Sequence, residues 1–324
     1  MRVFACLTSL FGSLLCGGCL ARYGLILFVA QAVSPTEGAH YRAEFNRDSF
    51  GQGQTNVTKR TLAGEATRMI PGLEARCLAI SPNGEVVALG GYMPAAGSGR
   101  RSSVVLVLSS STLETISHWA IPGMNTTSRV HGEVPRFEAM AMSPDAQTVA
   151  TYCWNPVVAA GNPVVALWRT RSGEPLGEFE SPEPNGPRQG TVQTDRTISL
   201  AFSADGKQLA AARMASAKAG GGAPSSGIIH VWQIEDGHRT DMPLGPDQGA
   251  RDLCFDESGT RLAYWCWIGS GTSTAWTFVR SLPDGRILAE ELAPGRIWGI
   301  RRSPSGFEAL LGNDTWLRIG SADH

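Results

Sequence analysis

No excess of charge of either sign marks this 324-residue sequence, in which 28 Lys and Arg stand against 29 Asp and Glu. Such a balance supplies no field to draw in nucleic acid or an anionic membrane surface, so a nucleic-acid partner is not expected. Histidine is scarce, six in all, and none sits at H-x-x-x-H or H-E-x-x-H spacing. The local signature of metal ligation is therefore missing, and no metal is expected. Phosphate-cradling loops of the G-x-x-x-x-G-K type are absent too, and Gly51-Gln-Gly53-Gln lacks the third glycine of a dinucleotide fingerprint. Gly271-Thr-Ser273-Thr-Ala275 approaches a nucleophile elbow, but strand-like runs flank it on both sides, whereas an elbow needs a helix after it. No cofactor is expected, and no catalytic constellation is visible.

What is present is apolar, glycine-rich and strand-like. Hydrophobic residues make up 42%, enough to bury a sizeable core, and Gly 38 with Pro 19 suits many short strands joined by tight turns. Residues 1–32 are apolar apart from Arg2 and Arg22 and end in Ala30-Gln31-Ala32. They read as a signal peptide cut after Ala32 or as a membrane anchor. The alternative is a misassigned start codon, which would leave the protein cytoplasmic. Cys16 and Cys19 have redox spacing but lie inside this segment with no second pair, and Cys77, Cys153, Cys254 and Cys266 remain beyond it. Residues 33–54 read as a flexible lead-in.

The informative signal is self-similarity. The segments "CLAISPNGEVVALGG" from Cys77, "AMAMSPDAQTVATYC" from Ala139, "SLAFSADGKQLAAAR" from Ser199, "DLCFDESGTRLAYWC" from Asp252 and "GIRRSPSGFEALLGN" from Gly299 align. Each is an apolar-alternating run, a turn opened by Ser or Asp, and a second apolar run, which is a β-hairpin written five times. Val87, Val149, Leu209 and Leu262 are each followed by alanine, so the second strand has an apolar side chain on both faces and must lie between other sheets. Two more strand-like runs follow each of the first four hairpins, such as "PVVALWRT" and "GEPLGEFE". The unit is a four-stranded antiparallel meander. The fold class is all-β, a β-propeller with five recognisable repeats over residues 55–324.

The turn followed by "LA", then "V-x-L-W" and "DG", resembles a degenerate WD40 repeat, with Trp168 and Trp232 on the third strand. No Gly-His pair precedes the first strand and no Trp-Asp dipeptide closes the third. The last hairpin is followed by a single run, "TWLRIGSADH", so Thr55–Arg68 is expected to complete that blade and close the ring. A fragment of a larger ring, or blades too diverged to align, is the alternative.

Long insertions, "YMPAAGSGRRSS", "WNPVVAAGNP", "KAGGGAPSS" and "IGSGTSTA", all join second to third strands. In a meander these share an end with the long connections entering each blade, and loops on a rigid scaffold are where binding usually resides. Candidate partner contacts on that end are Arg100, Arg101, His131, Arg136, Trp154 and Lys218. His230 and His118 read as structural strand residues. The resemblance implies a non-catalytic scaffold with a protein partner and a possible membrane tether. The alternative is an exported propeller enzyme or small-ligand binder with a site over the central channel, assembled from several blades.

Overall fold

The computed structural model describes residues 25–33, 39–47, 53–94, 101–125, 136–154, 164–180, 196–214, 226–246, 248–267, 275–282, 284–312 and 315–320. Among them every regular element is a strand, and the strands form six sheets in chain order. The first holds β1 (Leu25–Val33), β2 (His40–Arg47), β3 (Gly53–Thr61) and β4 (Gly64–Pro71); the second β5 (Glu74–Ile80), β6 (Val86–Pro94), β7 (Arg101–Ser109) and β8 (Thr115–Asn125). The third holds β9 (Arg136–Met142), β10 (Thr148–Trp154), β11 (Val164–Arg169) and β12 (Pro175–Glu180); the fourth β13 (Arg196–Phe202), β14 (Gln208–Met214), β15 (Ser226–Gln233) and β16 (Arg239–Pro246). The fifth holds β17 (Arg251–Phe255), β18 (Arg261–Trp267), β19 (Ala275–Ser281) and β20 (Ile287–Leu292), and the sixth β21 (Ile297–Ser303), β22 (Gly306–Leu311) and β23 (Trp316–Ile319). All pairings are antiparallel, and the inner strands β1, β5, β9, β13, β17 and β21 lie side by side in that order. This is the blade arrangement of a β-propeller.

Two expectations change. Among the described residues six blades form, one more than the five recognisable repeats, because residues 40–47, read as part of a lead-in, form β2. Tyr41, Ala43 and Phe45 are buried while Arg42, Glu44 and Asn46 are not, a period-2 strand pattern. Nor does Thr55–Arg68 complete the last blade. It is β3 and much of β4, paired to β2 and to itself in the first sheet, and the sixth sheet has three strands among the described residues.

The turns show why the hairpins recur. Ser81, Ser143 and Ser203 each accept, through Oγ, the backbone N–H five residues on, at 3.0, 2.9 and 2.9 Å. Asp256 does the same for Arg261 through Oδ1 at 3.0 Å. The side chain thus satisfies a donor that the five-residue turn would otherwise leave bare. The turn between third and fourth strands docks on it: Ser110, Thr170, Ile234 and Leu282 donate their N–H to the carbonyls of Glu85, Gln147, Lys207 and Thr260 at 2.7–2.9 Å. Both tight turns of a blade therefore sit at one end, and the longer connections at the other.

Five apolar cores hold the six sheets together, one between each consecutive pair. Buried leucines such as Leu89, Leu209 and Leu262, fully covered, each stabilise by about 2–3 kcal/mol relative to exposure. The two third-strand tryptophans are held differently. Trp168 Nε1 donates to Thr151 Oγ1 at 2.8 Å in the third sheet, whereas the strand partner two residues beyond Trp232 is Ala211, which has nothing to accept with.

His230 is a buried strand residue beside Trp232, with ring centroids 5.5 Å apart. Its Nδ1 is 2.7 Å from Asp241 Oδ1, which Arg239 Nε also meets at 2.9 Å. Nδ1 therefore carries the proton, and Nε2 is left without a partner. Burial holds its pKa below the ordinary value of 6.5; the Asp241 carboxylate works against that, while the charges of Arg239 and Arg213 assist it. A depressed histidine pKa means the unfolded chain binds the proton more readily. Stability from this group is complete above about pH 6.5 and is lost as pH falls below it. Urea midpoints at pH 7.5 and pH 5 should thus differ more for the wild type than for His230→Gln, and equal differences would refute the assignment. His118, by contrast, lies exposed on β8.

Candidate functional site

The end opposite the tight turns carries connections 95–100, 126–135, 155–163, 181–195, 215–225 and 268–274, all outside the described residues. The strands bordering them share a feature. All six inner strands bulge once close to the end where they begin, with register shifts at Ile26/Phe28, Ala75/Cys77, Phe137/Ala139, Thr197/Ser199, Arg251/Cys254 and Ile297/Gly299. A bulge puts two residues against one, bends the strand and re-aims a side chain, and bulges gather at barrel rims and binding sites. Here they set Leu27, Arg76, Glu138, Ile198, Asp252 and Trp298 at one level around the loop-bearing rim.

In the second sheet the half-buried Arg76 pairs with the buried Glu74 and lies 5.8 Å over the Tyr92 ring. Tyr92 Oη accepts the N–H of Phe137 from the third sheet at 2.8 Å, so this cluster also joins two blades. The fifth sheet repeats the arrangement: Arg251 lies 5.8 Å over Trp265, whose Nε1 donates to Asp252 Oδ2 at 2.7 Å. Asp252 takes φ 49°, a left-handed conformation that aspartate adopts only at some cost. Burial raises its pKa, against the Trp265 hydrogen bond and the Arg251 charge. In the sixth sheet Trp298 is 42% exposed, with Arg296 4.2 Å over its ring.

The site residues anticipated from sequence fall as follows. Arg101 opens β7 and is ion-paired to Glu74, so it is tied into the rim cluster around Arg76. Arg136 and Trp154 are brought together as a cross-strand pair at the open end of the third sheet. Arg100, His131 and Lys218 lie outside the described residues. The bulges were missed, although a signal was there: the aligned hairpins are directly preceded by Arg76, Glu138, Ile198, Arg251 and Trp298, a column of long or bulky residues in which charged, aliphatic and aromatic types replace one another.

Chemically the rim suits recognition. Tyr92 and Trp265 are buried beneath Arg76 and Arg251, and among the described rim residues Trp298, with the exposed Arg296 over its ring, offers aromatic surface to solvent. Cys254, two residues from Asp252, has its thiol pushed up to about 12 by burial, and Cys266 likewise to about 12, so neither is a thiolate near neutral pH. Cys77, Cys254 and Cys266 are free thiols. Among the described residues no three His, Cys, Asp or Glu converge as a metal ion requires, and no helix is long and apolar enough to cross a membrane.

No family model matches the chain, and no curated protein does. Solved structures do. The β-propeller domain of the trilobed protease from Pyrococcus furiosus, with an open velcro topology, is 13% identical over 88% of this chain and 78% of its own, at a TM-score of 0.51. A chain of the nidogen/laminin complex is 13% identical over 84% and 83%, at 0.49. A putative TolB from Agrobacterium tumefaciens is 13% identical over 80% and 79%, at 0.45. At this identity the likeness is one of fold, and the fold is that of a β-propeller.

Proposed function

We propose that this chain is a degenerate WD40-like propeller acting as a non-catalytic scaffold, which receives a protein partner on its loop-bearing end. The observation that carries the reading is the segregation of connections. One end consists of short turns locked by side-chain and backbone hydrogen bonds, while the other collects the long connections above a row of bulged inner strands. Binding surfaces belong on loops held by such a frame. The Trp168–Thr151 hydrogen bond supports the WD40 likeness, since it joins third and second strands of a blade. Export, or tethering through the apolar residues 1–32, belongs to the same proposal. A cut after Ala32 would remove β1, which lies against β5. The cut proposed from the sequence is the one after Ala32, and a retained tether, which keeps β1 in place, is the alternative.

Affinity capture with the full chain tests this, comparing wild type with variants shortened within 95–100 and 215–225. Capture of a partner by the wild type and at least a tenfold drop for both shortened chains is expected, at unchanged melting temperature. Equal capture by all three would move the functional surface elsewhere. Sequencing the N-terminus of the recovered chain reads the cut.

A further inference from the structure

The tight-turn end holds a second candidate surface, independent of the loop-bearing one. Between the third and fourth sheets a groove of about 630 Å³ opens, within the range of ligand pockets. Leu176, Phe179, Phe202 and Ile234 supply its apolar lining.

Its origin lies in one residue. On the outer strand of the second sheet, Ser117 stands opposite Val107 and donates to the Thr170 carbonyl of the third sheet at 2.8 Å, stapling the two blades at this level. The equivalent residue on β12, opposite Leu167, is Gly177, and a methyl built there would meet nothing within 4 Å. The neighbouring contact is missing as well. Trp119 of the second sheet covers Gly173 in the next blade's turn, and Met242 of the fourth covers Gly285, where a methyl would lie 2.3 and 3.1 Å from those side chains. The turn glycine of the fourth sheet, Gly237, has nothing within 4 Å. Phe179, the counterpart of Trp119, stacks instead on Trp232 at 5.5 Å. The corresponding space between the second and third sheets is only about 50 Å³.

The charged side chains at the groove are Asp145 and Asp205, both acidic, whereas Glu178, opposite Ala166, lies on the other face of β12. Asp145 and Asp205 each accept the hydroxyl of the turn serine, at 2.5 and 2.6 Å, and a backbone N–H, at 2.9 and 3.0 Å. The Ser203 hydroxyl and the Lys207 N–H keep the Asp205 carboxyl below its usual range, so it is ionised at neutral pH.

We propose that this groove docks a peptide segment in which an apolar side chain alternates with lysine or arginine, the apolar group seated against Leu176 and Phe202 and the cation beside the Asp145 and Asp205 carboxylates. Charge complementarity selects the occupant: an acidic or neutral apolar segment would leave the carboxylates unpaired or facing like charge. The probe is a capped peptide alternating leucine and lysine, titrated calorimetrically into the full chain, with a leucine–glutamate peptide as control. The wild type should bind the first and not the second, and the affinity should weaken as salt is raised from 50 to about 300 mM, as screening demands. Gly177→Leu, which fills the groove without touching a core, should weaken binding at least tenfold at unchanged melting temperature. Absence of binding up to millimolar peptide, equal binding by Gly177→Leu, or equal binding of the glutamate peptide would each overturn the proposal. So would self-association of the wild type, seen by sedimentation and lost in Gly177→Leu, since it would make a second copy the occupant.

Discussion

Replacing Gly91 by alanine is expected to destabilise the protein by about 3 kcal/mol, the upper part of the range for overpacking. The bulge at Arg76 bends β5 over the end of β6, so Gly91 faces backbone instead of side chain. A methyl on it would lie 2.2 Å from the Glu74 carbonyl oxygen and 2.9 Å from the Ala75 Cα. Side-chain rotation cannot relieve such a contact. Relief requires the strand to move, and with it the Glu74 carboxylate that holds Arg76 and Arg101 at the rim. Gly177→Ala is the control: also a strand glycine, but with open space around it, it should change stability by less than about 0.5 kcal/mol. Thermal unfolding of both variants decides the matter. A midpoint lowered by about 5 °C or more is expected for Gly91→Ala alone, and an unchanged midpoint would show that the bulge does not bring the strands together.

How much of this was readable beforehand depended on how far each feature is written in neighbouring residues. Ser81, Ser143, Ser203 and Asp256 were conspicuous because one side chain does one local job, accepting the N–H five residues on. The hairpins they close, and the meander around them, followed. The first sheet escaped alignment because its strands are joined otherwise: β3 and β4 meet at Leu62 and Ala63 with no serine-opened turn, and the face that turns away from the second sheet carries Arg42, Glu44, Asn56 and Thr58. Strand alternation at Tyr41, Ala43 and Phe45 was present but short, and nothing downstream repeated it. Bulges were hidden in a different way. A bulge is a mismatch between two strands, and the residue that absorbs it, arginine at 76 and tryptophan at 298, varies freely in chemistry. The groove beside Gly177 is a property of two blades and shows only when Ser117 and Trp119 of another blade are laid beside it.

The third-strand column that holds Trp168 and Trp232 continues in the fifth sheet with Arg280, opposite Leu262 as those tryptophans are opposite Val149 and Leu209. An arginine in a core column requires its donors to be met. They are: Nε donates to Tyr264 Oη at 2.9 Å, and Nη1 to the carbonyls of Pro243 and Gly285 at 3.3 and 3.2 Å. Pro243 belongs to β16, so this guanidinium ties the fourth sheet to the fifth at the tight-turn end, where a tryptophan would have supplied area alone. Tyr264, stacked on Phe278 with centroids 5.2 Å apart, has its hydroxyl pushed up to about 12 by burial and remains neutral, accepting from the arginine. Arg280→Met keeps most of the stem and removes the donors, stranding one hydroxyl and weakening two carbonyls. The expected loss is about 3 kcal/mol, since hydrogen bonds to charged groups contribute about 1.5–3 each and a buried group left unmet costs more than its bond returned. Tyr264→Phe alone should cost about 1 kcal/mol. The double variant separates this account from simple loss of packing: with Arg280 already gone, removing the Tyr264 hydroxyl should cost nothing further or recover stability, a coupling of about 1 kcal/mol read from urea midpoints. Strict additivity would mean that the arginine and tyrosine do not act as one unit, and the fourth and fifth sheets would then be held by their apolar core alone.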